Sequence, residues 1–156
     1  MARTIKAKKY TNVIEEYVAN AAITPGMLIE LMSTGKVRAH ASEGQNALPM
    51  FALENELEGE GVEDAFAAGD LVQCWIPNRG DIVNARIENG QSIEIGDFLE
   101  SNGSGYLQKH VADVDSSNDI TTIYPLQIVG QATEACDMSG SSGVDVAGGF
   151  CAVRII

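Results

Sequence analysis

The feature that most constrains this chain is a glycine turn that releases straight into a short apolar run, used three times. Phe66-Ala-Ala-Gly-Asp-Leu-Val-Gln-Cys-Trp75 has it at Gly69-Asp70, ahead of the only tryptophan. Ile23-Thr-Pro-Gly-Met-Leu-Ile-Glu-Leu31 has it at Gly26, and Ile93-Glu-Ile-Gly-Asp-Phe-Leu-Glu100 at Gly96-Asp97. Glycine supplies backbone angles that other residues avoid, and the runs it opens are too short for helices. Each is followed by a second turn and another short run. A chain punctuated this way folds as short strands joined by tight turns. With 156 residues, 45% apolar, 6% aromatic and 16 glycines, it is long enough for one cored domain.

Taken in order, residues 1–20 read as a basic, extended N-terminal arm and 21–156 as a single β domain. Val13, Ile14 and Tyr17 suit a helical face, but Thr, Val, Ile and Tyr favour strands, so 11–20 is read as extended. Residues 27–40 form a hairpin about Ser33–Lys36. Residues 47–53 are a short buried strand. Residues 54–64 hold six acids in eleven positions and are read as a surface loop. Pro77–Asp81 is turn chemistry before an alternating strand at 82–87. Residues 126–135 predict a long strand with Gly130 as a bulge, 137–149 a loop, and 150–156 a final strand held in a sheet.

The net charge of −12 is unevenly spread. Arg3, Lys6, Lys8 and Lys9 give the first nine residues +4. The remainder carries six basic against 22 acidic side chains, a balance of −16. An acidic body repels nucleic acid, whose affinity for proteins comes mainly from phosphate neutralisation. A basic arm on such a body points to docking on an acidic surface or on a neighbouring copy. Arg3, Lys6, Lys8, Lys9 and Tyr10 are therefore the candidate contact residues. Deleting residues 1–10 is expected to weaken binding and leave the β fold intact. The first ten residues lack an apolar signal region, and no apolar run approaches the roughly 20 residues of a membrane helix. A soluble protein made in a cytoplasm, with no membrane partner, is the expectation.

Catalytic or metal chemistry finds little support. Cys74, Cys136 and Cys151 are scattered with no CxxC, and read as buried reduced thiols. His40 and His110 read as ordinary surface histidines. Asp113–Asp119 begins like a calcium loop, then fails with Asn118 at the glycine position and Tyr124 at the glutamate position. Gly140-Ser-Ser-Gly143 has the wrong spacing for a nucleophile elbow. Lys36 sits on a hairpin tip as the modified lysine of a biotinyl or lipoyl carrier would, without the methionine-flanked setting of such domains. No enzyme, cofactor or metal site is expected. A small β-barrel carrier or ligand-binding domain is the alternative function, and an enzyme of β-clip architecture the least supported.

The ordered runs at 21–31, 35–39 and 49–54, Ala68-Gly-Asp-Leu-Val72, Ile128-Val-Gly-Gln-Ala-Thr-Glu-Ala135 and Val153-Arg-Ile155 resemble a capsid decoration (cement) protein of tailed bacteriophages. The resemblance covers most of residues 21–156. It implies a β-tulip or β-clip-like barrel or sandwich. It also implies a homotrimer on the exterior of the virion head that bridges major capsid protein subunits and stabilises the capsid.

Overall fold

The computed structural model describes residues 4–10, 12–112, 124–140 and 149–156. The turn that punctuates the sequence is a single hydrogen-bonded device, found with aspartate closing it and glycine at its third position in three places among the described residues. In Ala67–Asp70, Asn78–Asp81 and Glu94–Asp97 the first residue's N–H donates to the closing aspartate carboxylate, at 2.6, 2.8 and 2.9 Å. The aspartate N–H donates back to the first residue's carbonyl, at 3.1, 3.0 and 3.1 Å. Glycine takes the third position with φ between 94° and 98°, as a type II turn requires. Thr24–Met27 is the same turn with sulfur in place of carboxylate: the Thr24 N–H lies 3.4 Å from Met27 Sδ.

Among the described residues the chain forms thirteen strands. They are β1 (Lys6–Lys8), β2 (Val13–Val18), β3 (Ile29–Leu31), β4 (Val37–Ala39), β5 (Phe51–Ala52), β6 (Leu71–Ile76) and β7 (Ile82–Arg86). There follow β8 (Ser92–Ile93), β9 (Phe98–Ser101), β10 (Leu107–Lys109), β11 (Ile128–Ala132), β12 (Cys136–Asp137) and β13 (Phe150–Ile155). One 3-10 turn covers Glu56–Glu58. The expected all-β domain is thus observed, as several antiparallel sheets. The largest runs β1-β7-β13-β11-β9-β10; the others are β2-β6-β5, β3-β4 and β12-β8.

The three sequence units are not equivalent. The first and third close as hairpins, with Ile29 opposite Ala39 and Leu107 opposite Ser101. In the middle unit β6 and β7 enter different sheets. Gly130 sits at the expected irregularity, where the β11–β9 register shifts. A Cβ there would meet Val153 Cγ1 and the Arg154 carbonyl at 2.6 Å, so the strands close up only over glycine. The short pair β12-β8 lies partly inside the segment read as a loop. Two-residue strands leave no periodic signature.

Strand β6 joins two apolar cores. Val72 and Cys74 face one, with Ala19, Ile23, Ile29, Val37, Met50 and Phe66. Trp75, on the opposite side of the pleat, faces the other, with Ile5, Leu28, Phe51, Leu53, Leu99 and Phe150 among its members. Trp75 is wholly buried, and its indole N–H has no hydrogen-bond partner.

Candidate interaction surface

The basic arm is built into the fold. Ile5 is fully buried in the larger core. Its N–H points between the two oxygens of Glu54, 3.3 Å from each. Its carbonyl accepts the Asn84 N–H at 2.9 Å, and the Asn84 side chain donates to the Thr4 carbonyl at 2.7 Å. Glu54, from the acidic segment read as surface, is itself buried and serves as this anchor. β1 then runs along β7 with an irregular register, Lys6 opposite Val83 and Lys8 opposite Ile82. Such a bulge on an edge strand discourages further pairing. Finally the Tyr10 N–H donates to Asp81 Oδ1 at 2.7 Å.

This arrangement fixes where the cations go. Lys8, Ile82 and Arg154 stand opposite one another across β1, β7 and β13, so they share the outer face of the large sheet. The turn before β7 carries Arg79, and its Gly80 N–H donates to the Ile155 carbonyl at 2.9 Å. Tyr10, 72% exposed, extends its ring toward Gly80. The Lys8 ammonium lies 5.7 Å from the centre of that ring. Lys9 is exposed next to them, and Lys6 lines a surface pocket of about 220 Å³ with Leu53, Glu54, Glu56, Leu57 and Gln73. Asp81, at the centre of the corner, is fully buried and occupied by the backbone N–H groups of Tyr10 and Asn78.

Elsewhere three cations are neutralised, while Lys36 on its hairpin tip forms no ion pair among the described residues. Arg38 meets Glu30 at 2.7 Å, Arg86 meets Glu63 at 3.0 Å and Lys109 meets Asp97 at 2.9 Å. Lys6, Lys8, Lys9, Arg79 and Arg154 form no ion pair among the described residues. The structure therefore brings the predicted Lys6, Lys8, Lys9 and Tyr10 to one corner, and adds Arg79 and Arg154. Arg3 lies outside the described residues. Arg79 and Arg154 carried no signal in the sequence, because only strand pairing puts them beside the arm.

Outside this corner, the histidines and cysteines weighed for chemistry are packed into the fold. His40 is not a surface histidine: it is 2% exposed. One ring nitrogen lies 2.8 Å from Ser101 Oγ and the other 3.1 Å from the Asn46 carbonyl. That hydrogen bonding makes its burial tolerable. His110 is half-buried and bonds Glu100, which Gln108 also contacts at 3.3 Å. All three cysteines are buried and none is in a disulfide, as expected. Burial pushes the Cys74 and Cys151 thiols up to about 12. The calcium-like segment from 113 and the serines of 140–143 lie outside the described residues. No group of three or more metal-ligating side chains occurs among those described.

The fold is similar to that of a phage head fibre base. The N base of head fibre gp8.5 of bacteriophage phi29 matches with a TM-score of 0.55, covering 94% of this chain and 95% of that one. Identity is 15%, so the likeness is one of fold. No family model and no curated protein matches the sequence.

Proposed function

We propose that this protein is a structural component of a phage virion. It docks on the exterior of the head, bridges neighbouring major capsid protein subunits and stabilises the shell, acting by binding and without catalysis. The observation that carries this reading is the end-to-end likeness to a head fibre base, which leaves almost no part of either chain over. The basic corner supports an assembly role, with exposed cations around Tyr10 and Ile82 on an otherwise acidic body. A homotrimer of 16.6 kDa chains fits the role. A ligand that binds the intact shell and not its disrupted state stabilises by mass action, and three linked weak contacts add avidity.

The test is co-sedimentation with heads purified from phage lacking this gene, followed by electron microscopy. Added density at three-fold positions and a higher disruption temperature are expected. Heads that leave the protein in the supernatant would count decisively against the proposal.

One observation favours a second reading, the small ligand-binding domain. A groove of about 270 Å³ between β2, β3 and residues 46–50 is lined mainly by apolar surface, including Tyr17, Leu31, Leu48, Met50 and Ile76. An apolar dye that binds there, and is lost on Leu48→Asp, would support that reading.

A further inference from the structure

Opposite the corner in sign, and next to it along the chain's surface, stands the acidic segment. Its 3-10 turn is hydrogen-bonded. Glu58 N–H and Glu60 N–H both donate to the Asn55 carbonyl, and the Asn55 side chain donates to Glu58 at 2.8 Å. Gly59 closes it at φ 79°. At its tip Leu57 is 87% exposed, the most exposed of the large apolar side chains. It is flanked by Glu56 and Glu58, with Glu60 beyond. A leucine held in water by a built turn, among carboxylates, is a feature that gains free energy only when covered.

We infer that the basic corner of one copy of this chain seats the acidic Leu57 turn of a second copy. The two patches match in both respects that decide a contact. Leu57 supplies an apolar knob ringed by Glu56, Glu58 and Glu60. The corner supplies Tyr10 and Ile82 ringed by Lys8, Lys9, Arg79 and Arg154. Within one chain the patches meet only at Lys6, which lines one pocket with Glu56 and Leu57. The other cations of the corner form no ion pair among the described residues, which leaves them available to an acidic partner. A second copy is the acidic partner whose surface is known. Nucleic acid fits less well, because a long polyanion would have to pass the adjoining carboxylates. Each copy presents both patches, so each gives one turn and receives one, and a rotation that divides the full circle evenly makes the set a closed ring. The inference rests on the homo-oligomer of the proposed function and gives the basic corner to a second copy, leaving the shell to be met by another face. It concerns which surfaces make that oligomer.

Charge reversal tests this with the protein alone, by analytical ultracentrifugation at 50 and 300 mM NaCl. Lys8→Glu with Arg154→Glu, and separately Glu56→Lys with Glu60→Lys, each set like charges against like. Each should weaken self-association by about tenfold or more at low salt. Combining all four substitutions restores opposite signs and should recover it. Leu57→Ser leaves charge unchanged and should weaken association at both salt concentrations, and thermal melts of every variant report the fold. A stable oligomer indifferent to both reversals overturns the inference while leaving the shell-binding reading intact. A wild-type monomer at 100 µM, or a folded four-fold variant that does not recover, overturns it as well. Reversal at the corner that abolishes head binding without altering the oligomer assigns the corner to the shell and overturns the copy-to-copy contact. Failure of the wild-type oligomer to bind heads strikes the proposed function alone.

Discussion

Single residues here are fixed by whether their polar atoms find partners. Trp75 fills the space between β6 and the larger core but leaves its indole N–H unpaired, which costs about 1–3 kcal/mol. Trp75→Phe removes that burden along with some volume. It should lower stability far less than Trp75→Ala, for which a loss of about 3–5 kcal/mol is expected in urea melts. The cysteines make the converse case. With burial holding Cys74 and Cys151 near 12, neither presents thiolate at neutral pH. Both should resist iodoacetamide at pH 8 in the folded protein and react within minutes once urea is added, as read by intact mass.

At the scale of elements, the Gly-Asp turns tie strand ends together, and they differ in how much each carries. Asp81 is buried and holds both its own turn and the arm. Asp81→Ala should cost about 1–3 kcal/mol and raise hydrogen exchange at the Tyr10 amide. Asp97 is nearer solvent. The Glu94 N–H, and then Lys109, hold its carboxyl below the ordinary 3.8. A depressed folded value means the contribution is complete at pH above about 4. It is then lost as pH falls through the lowered value. Asp97→Asn should therefore lower stability slightly at pH 7 and flatten the acid limb below pH 4, the loss being small because exposed pairs are strongly screened.

For the whole molecule, the arm is the decisive case. The sequence reading made residues 1–10 removable without harm to the fold. Ile5 lies in the core against Gly26, and β1 pairs with β7, so deletion uncovers apolar surface and removes an edge strand. Losing Ile5 alone should cost about 1.5–3 kcal/mol. Truncation at residue 10 is expected to lower the melting temperature as well as any binding. Lys8→Glu, which leaves the core untouched, separates the two effects.

The sequence by itself determined the turns, the strand character and the arm's charge. These are local: glycine at φ above 90° and an aspartate three residues downstream of its donor act within four residues. The framework reading of 69–70 and 96–97 agrees with the structure, where both carboxylates accept from their own turn's backbone and Asp97 also pairs with Lys109. Tertiary structure alone decided which strands meet. Nothing in Pro77–Asp81 says that β6 and β7 part into different sheets, or that Glu54 turns inward to hold Ile5. The candidate surface was half legible for the same reason. Lys6, Lys8, Lys9 and Tyr10 are neighbours in sequence and visible as a charge run. Arg79 and Arg154 join them only because β13 pairs with β7 and β7 with β1, contacts between residues far apart in the chain.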